Sequence, residues 1–147
     1  MNKPFPILLA EDNEDDIIII ERVWKKNSIN NQLCVVRDGE ECLEYLRHQG
    51  EYSDLKKYPD PGLLLLDLNM PKMGGLETLK EIRNDPVLSR LPVVIMTTSR
   101  SDEDRLQSFD LKVNAYVVKP VGFENLIEVV KRIHQFWEIV ELPLHLD

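Results

Sequence analysis

Short apolar runs alternate along this chain with longer stretches whose apolar residues recur every three or four positions. The short runs suit strands, and the longer spacing suits one face of a helix. PILLAED (6–12), QLCVVR (32–37), the leucine run 63–67, VVIMTT (93–98) and AYVV (115–118) read as strands. Leu63–Leu66 shows no polar alternation, so that strand is expected to be covered on both faces. Helical spacing occupies 14–29, 38–50, 75–84, 101–112 and 123–140. In the first of these Ile17, Ile20 and Trp24 share a stripe, with Asp12 or Asn13 as N-cap. Ile17–Ile20 alone would also suit a strand, but charged flanks and length favour helix. Asp38 and Gly50 bound the second helix. The connection 51–62 is polar, carries prolines and is long for a loop.

Strand and helix thus alternate five times. That order predicts an α/β fold, a parallel sheet with helices on both faces joined by right-handed crossovers. At 147 residues the chain is one domain of ordinary size. No internal repeat, low-complexity tract or second domain is visible.

Charge narrows the function. Eighteen Lys+Arg against 26 Asp+Glu leave a net charge of −8. Nucleic acid and anionic membrane are disfavoured partners, because phosphate binding needs a basic footprint. No apolar run is long enough to span a bilayer, and the first residues lack the pattern of a secretory signal. Cys34 and Cys42 have no CxxC spacing and no second pair for zinc, so they read as reduced core thiols of a cytoplasmic protein.

Parallel strands present their carboxyl ends on one edge, where open α/β sheets bind ligands. The ends here carry Glu11 and Asp12, Asp67, Thr97 and Lys119. Each has a plain structural reading: a helix N-terminal charge, a turn residue before Asn69, Pro71, Gly74 and Gly75, a strand threonine, a solvated lysine. Their arrival together is what carries weight. Three crowded carboxylates repel unless protonated or neutralised. A hard divalent cation with oxygen ligands neutralises them, and Mg²⁺ fits better than zinc. A carboxylate with a free oxygen beside such a cation suits an aspartyl-phosphate nucleophile.

LLAEDN, LLLLDLNMPKMGG, LPVVIMTTS and NAYVVKP, in that order, resemble the receiver domain of two-component response regulators, over residues 5–140. The resemblance implies a flavodoxin-like, doubly wound five-stranded sheet of order 2-1-3-4-5 with five helices, a receiver domain over 1–140 and a tail at 141–147. It implies that Asp67 is the phosphoacceptor for a histidine kinase. Asp12 would ligate Mg²⁺ directly, Glu11 would hold it through a water, and Asn69 would offer its backbone carbonyl. Thr97 and Lys119 would contact phosphoryl oxygens, Tyr116 would follow Thr97 as a switch, and Lys119–Pro120 would be cis. The expected activity is phosphorelay signalling with at most slow autodephosphorylation.

Two positions depart from the family pattern. Thr98 stands where a small residue is usual, and Lys112 stands where glycine is common. A left-handed Lys112 would cost about 1–2 kcal/mol. No output domain is expected, so signalling would pass by binding, oligomerisation or onward transfer. In the last helix Leu126, Val130, Ile133 and Trp137 form one stripe, which Val129, Phe136, Ile139 and Val140 widen beyond what one buried face needs. A homodimer through this helix and tail is expected, the alternative being a tail folded over its own domain. Ile18 and Ile19 would dock on a kinase or extend the core. HQFWEIVELP (134–143) and the insert GEYSDLKKYPDP (50–61) resemble stand-alone receivers serving phytochrome-type histidine kinases. Two rivals remain: a phosphohydrolase, which would have an acid at the Asn69 position, and a phosphorylation-independent interaction module, which would have lost the acids or Lys119.

Overall fold

The computed structural model of the chain describes residues 4–98, 100–107 and 109–139, with side chains at all of these except 100, 103, 104 and 136–139. Five strands form its sheet: β1 (Ile7–Ala10), β2 (Leu33–Val36), β3 (Leu63–Asp67), β4 (Val93–Thr97) and β5 (Ala115–Val118). All neighbours are parallel, in the order β2-β1-β3-β4-β5. The helices between and after them are α1 (Glu14–Lys26), α2 (Gly39–Leu46), α3 (Gly75–Asn84), α4 (Arg100–Gln107) and α5 (Asn125–Ile139). The order and helix count are those the receiver resemblance implied.

The leucine run explains the layering. Leu64 and Leu66 enter one core with Leu43, Leu46, Leu79 and Ile82, from α2 and α3. Leu63 and Leu65 enter the opposite core with Ile17, Ile20, Phe123 and Leu126, on the α1 and α5 side. All four leucines are fully buried. Each contributes roughly 1.5–3 kcal/mol of burial, which only a strand covered on both faces can collect. β3 therefore sits at the centre of the sheet, and its last residue is carried to the middle of the carboxyl edge.

Helix boundaries differ from the sequence pattern where the backbone turns left-handed. α1 is capped by Asn13, whose Oδ1 accepts from the Asp16 N–H at 3.0 Å. α2 is capped by Asp38 and stops at Leu46 rather than running to residue 50, because His48 and Gly50 both take φ of 57°. α4 stops at Gln107, short of the expected 112, ahead of Asp110 at φ 49° and Lys112 at φ 55°. A 3₁₀ turn, Val121–Glu124, precedes α5, so that helix starts at Asn125. Lys119–Pro120 is cis.

The 51–62 connection is less open than its composition suggests. It begins within a 3₁₀ turn, Gly50–Ser53, and Tyr52 is buried. The rings of Tyr45, Tyr52 and Tyr58 meet at centroid distances of 4.8–5.8 Å. Tyr45 also donates its hydroxyl to the Pro59 carbonyl at 3.0 Å. Three aromatic rings thus give this insert a small core of its own.

On α1, Ile18 is exposed whereas Ile19 packs against the α1/α5 core. On α5, Leu126 and Val130 are buried and Ile133 packs beside them. Val129, which widened the apolar stripe, packs against that same core and so gives no support to a second contact. The side chains of Phe136, Trp137 and Ile139, together with Val140 and the tail, lie outside the described residues. Cys34 and Cys42 are free thiols. Among the described residues no helix is long and apolar enough to cross a membrane.

Candidate functional site

Four of the five strand ends contribute to one place. Glu11 and Asp12 follow β1, Asp67 closes β3, Thr97 closes β4 and Lys119 follows β5. Ala10 lies beside Leu66, Asp67 beside Met96 and Thr97 beside Val118, so the ends are level within a residue or two. Asp67 is held from the far side by the turn that follows it. The Asn69 N–H donates to Asp67 Oδ1 at 3.3 Å, and the Gly75 N–H donates to the Leu68 carbonyl at 2.9 Å. A Cβ on Gly75 would overlap the Asp67 carbonyl oxygen. Glycine is required there because α3 starts against the backbone of the functional strand.

Buried charge dominates the electrostatics. Glu11 and Thr97 have no exposed surface, and Asp67 is 2% exposed. The Lys119 ammonium lies 2.8 Å from Glu11 Oε1, 2.9 Å from Asp16 Oδ2 and 3.4 Å from Asp67 Oδ1. Burial pushes the Glu11 carboxyl up to about 7, opposed by Lys119 and reinforced by the neighbouring Asp67. Lys119 is pulled down by its own burial, but the Glu11, Asp16 and Asp67 carboxylates outweigh this and hold it above the usual lysine range. The two rises have different first causes: loss of water for Glu11, and the surrounding carboxylates for Lys119.

The donor set fits a hard divalent cation. One carboxylate oxygen from each of Glu11, Asp12 and Asp67 can lie within 4.8 Å of the others. Asp12 faces solvent while its two companions are buried, giving an enclosed site with one open side. Apart from the ammonium charge, buried Glu11 Oε1 has no hydrogen-bond donor. Oxygen-only ligands, an excess of negative charge and room for water suit Mg²⁺ or a similar ion.

The structure thus brings Glu11, Asp12, Asp67 and Lys119 together. Thr97 is one residue beyond the register partner of Asp67. Tyr116 is half-buried on β5 beside Ile95, one row back from the edge, and packs toward the α2/α3 core. Asn69 and Thr98 are exposed at the same rim. Asp16 was not anticipated: it is a third carboxylate on Lys119, from the first turn of α1. Its signal in the sequence was its place in the acidic first turn of the helix that directly follows Glu11 and Asp12.

A family model described as the response regulator receiver domain matches residues 7–131. The response regulator Rcp1 of Synechocystis is 42% identical over 143 residues, covering 97% of this chain and 95% of that protein. The phosphorylated cyanobacterial phytochrome response regulator RcpA superposes with a TM-score of 0.73 at 42% identity, covering 91% of this chain and 94% of that one. The Mn²⁺-bound form of Rcp1 gives 0.73 at 42% identity, over 95% and 99% of the two chains. Five parallel strands in this order, an acidic edge with a buried lysine and these likenesses lead to one conclusion: the chain belongs to the response regulator receiver domain family.

Proposed function

We propose that Asp67 accepts a phosphoryl group from a histidine-kinase phosphohistidine and that the chain signals through the resulting change of shape. The observation that carries this reading is the position of Asp67, buried at the sheet edge, 3.4 Å from the Lys119 ammonium and grouped with Glu11 and Asp12. An Asp67 carboxylate oxygen attacks phosphorus, the P–N bond breaks, and the imidazole leaves with the electron pair. Lys119 and Thr97 contact the phosphoryl oxygens and favour the charge they carry in the transition state. Glu11, Asp12, Asp67 and the Asn69 backbone carbonyl hold Mg²⁺, which when bound neutralises part of the negative charge. The adduct then draws Thr97 inward, and Tyr116 follows into the space released.

This is a signalling role, not metabolite turnover, with at most slow loss of the phosphate. A phosphohydrolase would want an acid two residues after its nucleophile, and Asn69 stands there. The names of the relatives favour a phytochrome-type kinase as donor. The receiver unit is taken as residues 1–140, in the cytoplasm, with no nucleic-acid or membrane partner. The apolar α5 residues and the 141–147 tail are taken as the homodimer contact.

The test is incubation with Mg²⁺ and acetyl phosphate, followed by intact mass and sizing chromatography. Wild type gains one phosphoryl group, and Asp67→Asn gains none. A variant that is still phosphorylated removes Asp67 from the role. A shift in elution on phosphorylation supports the dimer output, and a monomer in both states refutes it.

A further inference from the structure

We infer that Asp16 is a positioning residue of this site: it holds the Lys119 ammonium in the resting state and competes with the incoming phosphoryl group for it. An ammonium has three N–H donors, and here three carboxylates surround it. Asp16 Oδ2 is 2.9 Å away, nearer than Asp67 Oδ1 at 3.4 Å, and the lysine side chain is only 8% exposed. Glu11 and Asp67 belong to the carboxylate group that can enclose a cation, whereas Asp16 does not. Of the three partners, Asp16 is the one whose charge is spent on Lys119 alone.

Two effects follow with the same sign. A phosphoryl oxygen reaching Lys119 must displace one carboxylate, and Asp16 is the one not needed for the cation or the bond. Asp16 also adds a negative charge beside the ammonium that a dianionic donor must reach, and like charges raise the cost of approach. In the other direction, Asp16 shares the Lys119 charge with Glu11 and Asp67 and so leaves more of their own charge available to the cation. The inference rests on Asp67 being the acceptor.

The experiment uses the full chain and three variants: Asp16→Asn, Asp16→Glu and Asp15→Asn. Asp15 is exposed on the same helical turn and controls for helix-terminal and overall charge. With acetyl phosphate, an Asp67 oxygen bonds to phosphorus as the bond to acetate breaks and acetate leaves with the electron pair. At saturating Mg²⁺ and low salt, Asp16→Asn is expected to take up phosphate about three- to tenfold faster, an advantage that shrinks as salt rises. Without donor, its Mg²⁺ affinity, read by calorimetry, is expected to fall several-fold. Asp16→Glu keeps the carboxylate and returns both readings toward wild type, and Asp15→Asn changes neither beyond about twofold. Unchanged or slower uptake, unchanged Mg²⁺ affinity, or effects matched by Asp15→Asn overturn the inference. Wild type that takes no phosphate at residue 67 refutes the acceptor reading itself, a result distinct from any of these.

Discussion

The Arg83 guanidinium on α3 donates to the Lys112 carbonyl oxygen at 2.9 Å, fastening the third helix to the turn before β5. The same side chain donates to the carbonyls of Leu111 at 2.7 Å, Ser89 at 3.1 Å and Leu91 at 2.8 Å. Two loops that flank β4 and β5 are thereby tied by one residue. Its burial pulls the guanidinium below the usual arginine range, but four carbonyl oxygens accept hydrogen bonds from it.

Arg83→Ala leaves four backbone acceptors without this donor. A loss of about 2–4 kcal/mol is expected, read as a lower urea midpoint at unchanged slope. Arg83→Lys should recover little, because an ammonium cannot reach four carbonyls in a plane. A cost within 0.5 kcal/mol (the usual surface range, about that size) would mean the loops hold themselves.

Lys112 sits at φ 55°, a conformation that opposes any side chain with a Cβ. Lys112→Gly relieves that strain and gives back part of the gain as greater freedom of the unfolded chain. The net expectation is a stabilisation of about 0.5–1 kcal/mol, measured in the same urea titration. A less stable Lys112→Gly protein would show that the Lys112 side chain earns its place by contacts.

The Glu11 carboxyl, raised from 4.5 to about 7, makes stability depend on pH. Between those values the folded protein keeps a proton that the unfolded chain has released, so stability falls as pH rises. In chelator, wild type should therefore lose about 1–3 kcal/mol relative to Glu11→Gln from pH 4.5 to 7. Mg²⁺, which binds the ionised carboxylate, should oppose that loss. Parallel pH curves for the two proteins would place the Glu11 proton elsewhere.

Thr98 is exposed immediately after buried Thr97, at the rim of the acidic edge. Bulkier than the small residue usual at this place in the family, it is expected to obstruct water approaching a phosphoryl group on Asp67. Thr98→Ala is expected to shorten the phosphoryl half-life by less than about tenfold, followed by loss of the mass adduct. An unchanged half-life rejects the obstruction.

Much of the fold was legible because its signals are local. Alternation of apolar runs with helical spacing is enough to name a parallel sheet with helices on both faces, and parallel strands must send all their carboxyl ends to one edge. Leu63–Leu66 announces a strand buried on both sides without reference to any other residue. Helix ends were less legible: the left-handed turns at His48, Gly50, Asp110 and Lys112 cut two helices short, and only one of those four residues is glycine.

That Glu11, Asp12, Asp67, Thr97 and Lys119 would share one edge could be read along the chain, because each stands at the end of a strand and parallel strands end together. What each of them faces came from the packing of separate elements. It put Asp16 on Lys119, turned Val129 inward, gathered three tyrosines beneath a polar insert and made an ordinary-looking Arg83 the tie between two loops. These are contacts between side chains from separate elements, set by packing angles and distances. A pattern that repeats every two or four residues carries no record of them.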